Sequence, residues 1–413
     1  MKKQLSSVAQ IQTGPFGSQL HKEDYVDKGT PIVTVEHLGH RVFTEQNLPN
    51  VSDVDKQRLA KYILNEGDIV FSRVGSVDRC SYVDKEHDGW MFSGRCLRVR
   101  PNKDIFPLYL YYYFCLEETK QFVRNIAVGA TMPSINTKIM GEIPVVIPDY
   151  NTQKRIALLL SELDNIIENN ERINDNLHQQ AQTILTSFFI DFSRFGGAVP
   201  DDWEQGTLQD IADFLNGYAF KSKELLNAPE PNCYHVFKQG HINRGGGFNS
   251  SGTKSWYPIS KSSALSKYIL HKGDVLMAMT DMKDNVAILG NTALMTVDDQ
   301  YIVNQRVGLL RSNGYKSTSY AYIYLLTNSF DFLKDLRSRA NSGVQVNLSS
   351  SEIKASSVWI ATDEVNKEFN ALTEPLLSMI MANDIENQKL EDLRDTLLLQ
   401  LISGELDVSN LDL

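Results

Sequence analysis

The sequence predicts an α+β protein made of two copies of one domain joined by two long helices. Three observations carry that prediction. Leu59-Ala-Lys-Tyr-Ile-Leu-Asn-Glu-Gly-Asp-Ile69 returns 206 residues later as Leu265-Ser-Lys-Tyr-Ile-Leu-His-Lys-Gly-Asp-Val275. Further anchors repeat in the same order. Each copy is followed by a long stretch whose apolar residues are spaced alternately by three and four. An offset of this size is far beyond a solenoid period, so a whole domain has been duplicated.

The anchors begin at Leu5-Ser-Ser-Val-Ala9 and Leu208-Gln-Asp-Ile-Ala212, each leading to a glycine turn, Gly14 or Gly217. Arg95 in Ser-Gly-Arg-Cys-Leu-Arg-Val parallels Arg306 in Asn-Gln-Arg-Val-Gly-Leu-Leu. Tyr109 to Phe114 parallels Tyr320 to Leu325, and Gly129 and Ile139 fall opposite Gly343 and Ile353. Ile69-Val-Phe-Ser-Arg73, Val275-Leu-Met-Ala-Met279 and Ile143-Pro-Val-Val-Ile147 are short, β-branched or apolar, and bounded by turns, hence strands. Gly67-Asp68 and Gly273-Asp274 are the turns feeding the first two. Tyr109–Arg124 and Ser319–Arg337 are longer and amphipathic, hence helices.

The connectors differ in kind from the copies. Thr152 to Ser187 holds neither proline nor glycine. Its predicted seam runs through Ile156, Leu159, Leu163, Ile166, Asn170, Ile173, Leu177, Gln180 and Ile184. Leu376, Met379, Asn383, Leu390, Leu393 and Leu397 repeat that line at an offset of 213, with Asn383 falling opposite Asn170. Polar residues in such a seam cost stability and fix register and partner. Phe195-Gly-Gly-Ala-Val-Pro200 breaks the first helix into the second copy. The expected divisions are 1–150, 151–206, 207–360 and 361–413.

A net charge of −10 argues against a nucleic-acid partner until it is divided along the chain. Residues 1–150 and 207–360 carry 0 and +4, whereas 151–206 and 361–413 carry −5 and −9. The acid lies in the connectors. Because charges are screened beyond about 8–10 Å, the local face decides DNA affinity rather than the total. Such a chain binds DNA weakly alone and expects a partner to supply basic surface. Nothing follows Met1-Lys2-Lys3 as a secretory apolar region, and no stretch is apolar enough to cross a bilayer, so a cytoplasmic protein is expected. Cys80, Cys96, Cys115 and Cys233 lack metal or redox spacing and read as reduced, partly buried thiols. His37 and His40 have no second ligand cluster and read as surface histidines, so no metal is expected.

No catalytic constellation recurs in both copies. There is no Pro-Pro dipeptide, so the Asn/Asp-Pro-Pro-aromatic loop of amino-methyltransferases is absent. Gly245-Gly-Gly247 follows a polar stretch and reads as a flexible surface loop. Gly247-Phe-Asn-Ser-Ser-Gly252-Thr-Lys254-Ser255 misses a phosphate loop, since its lysine comes one residue late and Pro258 stops any helix. The Tyr-Ile-Leu-x-x-Gly-Asp unit reads as scaffold, and the Tyr109–Phe114 run as core rather than a base-stacking surface. Arg73, Arg95 and Arg306 lie beside strands, where an arginine faces a phosphate or guanine edge, or equally is solvated or acid-paired.

In these residues the whole chain resembles the specificity subunits of type I restriction–modification systems. The resemblance rests on the turns Thr13-Gly-Pro-Phe-Gly-Ser-Gln-Leu20 and Asn216-Gly-Tyr-Ala-Phe-Lys221 and on the strand starts Tyr62 to Asp68 and Tyr268 to Asp274. Closing stretches add to it: Gly129-Ala-Thr131, Ile143-Pro144, Ile147-Pro148 and Gln153-Lys-Arg-Ile156 in the first copy, and Gly343-Val-Gln345-Val-Asn347-Leu348-Ser349 in the second. The second copy reads Val358-Trp-Ile-Ala-Thr362 without the prolines, and Leu401-Ile-Ser-Gly-Glu-Leu406 ends the pattern. The resemblance implies two target recognition domains joined by two antiparallel coiled-coil helices, in a non-catalytic chain reading a bipartite double-stranded DNA target. A helix of roughly 40 residues spans about 60 Å, enough to set an unread gap.

It also implies modification subunits that bind S-adenosylmethionine and methylate adenine, and a restriction subunit that cuts. This chain would hold no cofactor. The candidate DNA contacts are Arg73, Arg95, Lys221, Arg244, Lys254 and Arg306. The candidate helix and partner interface is Leu163, Ile166, Asn170, Ile173, Leu177, Ile184, Leu376, Asn383, Leu390, Leu393 and Leu397. Three other classes compete: a stand-alone methyltransferase or nuclease, a duplicated-domain adaptor, and an orphan DNA-binding regulator. Cofactor binding by the pure chain, absence of DNA binding with any partner, and tight DNA binding alone mark each in turn.

Overall fold

The computed structural model describes residues 2–15, 17–282, 286–342 and 345–408. Two compact units emerge, Met1–Ile167 with Lys389–Leu413, and Glu168–Gln388. Each is built on the same antiparallel four-stranded sheet, followed by helices.

In the first unit the sheet order is Ala9–Thr13, Cys96–Pro101, Ile69–Ser72, Cys80–Tyr82. Its register places Ile11, Val99 and Ile69 in one row. A smaller sheet contains Thr30–Val33 running parallel to Met91–Phe92. Lys2–Gln4 pairs with Pro144–Val146, so the chain start closes on the predicted Ile-Pro strand. The predicted helix over Tyr109–Arg124 is two, Pro107–Cys115 and Glu117–Ile126, broken where Leu116 adopts ψ 131°. The first is buried nearly all round, and its phenols reach partners: Tyr109 donates to the Val146 carbonyl (2.8 Å), Tyr113 to that of Pro144 (3.0 Å). The tyrosine run is core, as its composition implied.

The second unit repeats this plan. Its sheet order is Ala212–Asn216, Val307–Ser312, Val275–Ala278, Thr292–Leu294, with Phe214, Leu310 and Val275 in the equivalent row. Cys233–Phe237 runs parallel to Tyr301–Val303, and Glu204–Thr207 pairs with Ser357–Ile360. The predicted helix over Ser319–Arg337 is again two, Tyr320–Thr327 and Phe330–Ser338.

The duplicated Gly-Asp turn explains itself in three dimensions. Gly67 and Gly273 both sit at φ +90°, a region that strains any side-chain-bearing residue. Asp68 and Asp274 are then buried, accepting the backbone N–H of Asn65 and His271 at 2.8 Å. Each also takes two bonds from an arginine on the neighbouring strand, Arg100 (2.7 Å twice) or Arg311 (2.7 and 2.5 Å). A buried carboxylate survives only with such partners.

The long helices run Tyr150–Leu185 and Asp363–Ser403. Gly404, at φ +81°, ends the second, with the Leu406 N–H on the Gln400 carbonyl (3.1 Å). Within each unit the two helices are antiparallel. In the first, Asp164 faces Arg394 (2.8 Å); in the second, Asn170 bonds Asn387 and Glu386 (both 2.9 Å). The predicted seam holds at Ile156 and Asn170, which are buried, but elsewhere the buried line runs along the neighbouring stripe. Ala157, Leu160, Asp164, Ile167, Ala181 and Leu185 are buried, as are Leu377, Met381, Leu398 and Leu401.

Ile166, Ile173, Met379 and Leu393 are instead 43%, 38%, 53% and 46% exposed, while Leu163, Leu177, Ile184, Leu376, Leu390 and Leu397 are half-buried. The reason is that the helices also pack on the domain bodies. Ala157 and Leu160 join the core of the first unit, and Ala181 and Leu185 that of the second. That packing claims the neighbouring stripe. Asp164 is tolerated there because Tyr112 (2.6 Å) and Arg394 both donate to it. Asn383 bonds Asn174 (2.8 Å) rather than Asn170. Since Asn383 and Asn387 stand 213 residues beyond Asn170 and Asn174, the Asn174–Asn383 and Asn170–Asn387 bonds are copies of one contact.

Candidate nucleic-acid interface

The loops that carry chemistry-bearing side chains converge at one end of each central sheet. In the first unit Thr13, Leu97, Phe71 and Cys80 form the last row. Beyond it lie the Gly14 turn, the Ser93–Cys96 turn, Arg73 and Arg79. The Ser93 N–H reaches Val33 (2.8 Å), the Cys96 N–H closes on Ser93 (2.9 Å), Gly14 reaches Cys96 (3.2 Å) and the Arg73 N–H takes the Arg95 carbonyl (2.8 Å). A Cβ on Gly14 would stand 2.1 Å from the Ser93 carbonyl oxygen, so only glycine permits this approach. Arg73 is half-buried and donates to the Gly94 carbonyl (3.2 Å). Arg95 is exposed at the turn. The hairpin around Val128 and Ser134 is tied to the same place by the Ile135 N–H on Arg73 (3.0 Å) and the Gly75 N–H on Pro133 (2.8 Å). It exposes Val128 (61%) and Met132 (65%).

The second unit builds the same turn from different residues. Asn304 N–H reaches Phe237 (3.0 Å), Val307 closes on Asn304 (3.0 Å), Gly217 reaches Val307 (3.0 Å) and Met279 takes the Arg306 carbonyl (3.2 Å). A Cβ on Gly217 would meet the Asn304 carbonyl oxygen at 2.0 Å. Arg306 is exposed. Around it Thr280 Oγ1 donates to Gln239 (2.7 Å), and Asn216 bonds Ser350 (2.8 Å). Thr280–Met282 pairs with Gln345–Asn347, while Gly343 of the predicted closing stretch lies outside the described residues.

The remaining candidates separate. Arg244 is exposed on a turn whose glycines Gly245, Gly246 and Gly247 all have positive φ. The expectation of a loose loop is corrected here. Gly247 is held by the Thr292 carbonyl (2.9 Å), and a Cβ on Gly246 would strike Asn328, which itself bonds Thr292. Arg244 is thus presented at the same sheet end as Arg306. Lys254 is exposed beside the half-buried His235. Lys221 is exposed where a short 3-10 turn begins at Ser222. No bond joins either lysine's side chain to the Arg306 turn among the described residues.

His37 corrects a second expectation, because it is buried. Its Nδ1 accepts the Thr34 N–H (3.0 Å), and its Nε2 lies 3.1 Å from the Gln46 carbonyl. His241 holds the equivalent place, accepting from Lys238 (3.0 Å). Burial pushes His241 down to about 4. Burial, then His241, Lys254 and Lys238, do the same to His235. Both are neutral near pH 7 and carry no charge to a phosphate. Sequence reasoning missed Arg79, Gln239, Thr280, Asn216 and Met132. Only Arg79 carried a signal, a charge at a strand start.

Among the described residues no group of three or more His, Cys, Asp or Glu is placed to hold a metal, all four cysteines are free, and no helix is long and apolar enough to cross a membrane. A duplicated sheet domain that presents polar and basic loops at one end is a recognition module. The family model described as type I restriction modification DNA specificity domain matches residues 1–179 and 200–392. The chain therefore belongs to the specificity subunits of type I restriction–modification systems, which are non-catalytic.

Relatives of like length include the type I restriction enzyme HindI specificity subunit of Haemophilus influenzae, 24% identical over 88% of this chain and 91% of its own. The MjaIX specificity subunit of Methanocaldococcus jannaschii is 22% identical over 99% of this chain and 94% of its own. Among solved structures, the S subunit from M. genitalium shares the fold with a TM-score of 0.57, at 16% identity, over 97% of this chain and 95% of that one.

Proposed function

We propose that the chain reads a bipartite double-stranded DNA target, one half-site per recognition domain, with residues 1–150 and 207–360 as those domains. The observation carrying this is the arginine turn held by four matched backbone hydrogen bonds at the same sheet end in both units. Arg73, Arg95, Lys221, Arg244, Lys254 and Arg306 are the candidate contacts. The long helices hold the spacing and dock modification subunits, and a restriction subunit joins that complex. Their acidic balance supports a protein partner there rather than DNA. So do the exposed apolar side chains of Ile166, Leu393 and Leu399 in the first unit and Leu372 and Met379 in the second. S-adenosylmethionine belongs to the modification subunits, and the complex works in the cytoplasm on chromosomal DNA.

The test is the adenine methylome of the host with and without this gene. Loss of one split motif on deletion supports the reading and gives both half-sites. An unchanged methylome, together with no sequence-dependent DNA binding by the chain in complex with its partners, overturns it in favour of a duplicated-domain adaptor.

A further inference from the structure

The two units differ at most positions around the arginine turn, yet keep the arginine. Arg73 in the first unit is replaced by Met279 in the second, Val74 by Thr280, Val35 by Gln239 and Thr34 by Lys238. Arg95 and Arg306 are the same residue, on the same turn, at the same end of the same sheet. The framework beneath them is also the same to the level of single hydrogen bonds, down to the glycine on which the turn rests.

Neither arginine is needed for folding by any contact among the described residues. Several arginines here are held by acid: Arg58 by Asp55, Arg100 by Asp68, Arg124 by Asp78, Arg311 by Asp274 and Arg394 by Asp164. The exposed side chains of Arg95 and Arg306 have no ion pair or hydrogen bond among the described residues. Two free guanidinium groups are thus presented identically by two surfaces that otherwise differ in chemistry.

What is identical on two different half-sites is the sugar–phosphate backbone. Contacts to phosphate set register and carry no sequence information, whereas base edges are read by side chains that vary with the target. We infer that Arg95 and Arg306 are matched phosphate anchors that fix the docking register of each domain, while the differing residues around them carry the half-site choice. This assignment rests on the half-site reading above. A base-reading arginine would act differently, through a bidentate pair with guanine that lysine does not reproduce in geometry.

The experiment uses the full chain assembled with its modification subunits and two duplexes, one with the motif read from the methylome and one scrambled. The variants are Arg95→Ala, Arg306→Ala, Arg95→Lys and Arg306→Lys. Each alanine variant is expected to weaken binding to both duplexes by the same factor, about eightfold at 0.1 M salt for one lost phosphate contact. The slope of log K against log salt falls by about 0.9 in magnitude. Lysine restores affinity and slope, and the methylated motif keeps every letter of both half-sites. Loss confined to the target duplex, relaxation of a letter in one half-site, or failure of lysine to rescue makes the arginine a base reader and overturns the assignment. Unchanged affinity and slope removes that arginine from the interface. Equal binding of both duplexes by the unmodified complex is a different result, since it overturns the half-site reading itself.

Discussion

Asp68 is the residue whose loss is most sharply predicted. Its side chain is 1% exposed and takes two bonds from Arg100, with the Arg98 Nε 4.0 Å away. Asp68→Asn keeps the shape and the oxygen shared by the Asn65 N–H and Arg100 Nη2, but turns an amide N–H₂ toward Arg100 Nε and removes the carboxylate charge from beside Arg100 and Arg98. One hydrogen bond to a charged group, worth about 1.5–3 kcal/mol, is lost outright and the second loses its charge assistance. Arg100, 31% exposed, recovers part of that from water, whereas Arg98, 6% exposed, does not. The net cost is therefore about 3 kcal/mol, the lower end of what breaking a buried pair costs. For a unit of this size that lowers the unfolding midpoint by about 6–12 °C. The second unit supplies the control, because Leu309 stands where Arg98 does in the first. Asp274→Asn strands only the half-exposed Arg311 and costs about 1 kcal/mol less. Hydrogen exchange read by mass spectrometry on the full chain separates the two, through amides of Ile69–Ser72 against those of Val275–Ala278. A loss of under about 2 °C for Asp68→Asn, or a larger cost for Asp274→Asn, refutes the reasoning.

Three further outcomes are expected. His241 is fully buried and titrates near 4 in the fold against 6.5 unfolded, so its stabilisation is complete above pH 6.5 and is lost as pH falls toward 4. On the order of 3 kcal/mol of the second unit's stability disappears across that window through His241, and unfolding midpoints at pH 7.5 and 4.5 measure it, with His241→Asn reducing the difference and leaving the part contributed by His235. Asn387→Leu leaves the 7%-exposed Asn170 without one of its two acceptors and costs about 1–2 kcal/mol; denaturant unfolding that shows no recovery in Asn170→Leu/Asn387→Leu counts against the polar pair as a register device. Gly217→Ala drives a Cβ into the Asn304 carbonyl and displaces the Arg306 turn. Modification of the host target should fall more than about tenfold while the first unit keeps its exchange protection, and full modification would mean the turn is not part of the interface.

Much of this fold is legible in the chain itself. Repetition of Tyr62 to Asp68 at Tyr268 to Asp274 requires no structure to be seen, and identical local sequences in the same order adopt identical local backbone. The glycine at Gly67 and Gly273, the strands that follow, and the absence of helix breakers over Thr152 to Ser187 act over a few residues, where steric and hydrogen-bonding rules are local. The acidic connectors and neutral or basic domains were equally plain. The span of the first helix, free of proline and glycine, and the buried character of the tyrosine run followed from composition.

Tertiary structure decided whatever depends on what lies across from a side chain. The helices carry apolar residues on two adjacent stripes, and packing on the domain bodies chose Ala157 and Leu160 over Leu159 and Leu163 for the deeper line. Asp164 enters that line only because Tyr112, 52 residues before it, and Arg394, 230 residues after it, meet there. His37 is buried because Gln46 folds back over it, which nothing in His37-Leu-Gly-His40 announces. Arg73 and Arg95 stand far apart in sequence and meet because antiparallel pairing brings both strand ends to one edge of the sheet. The sequence by itself determined that there are two recognition domains and what kind of loops they carry. Only the sheet register determined which of those loops stand side by side, because register is fixed by burial of both faces at once and no single segment contains that information.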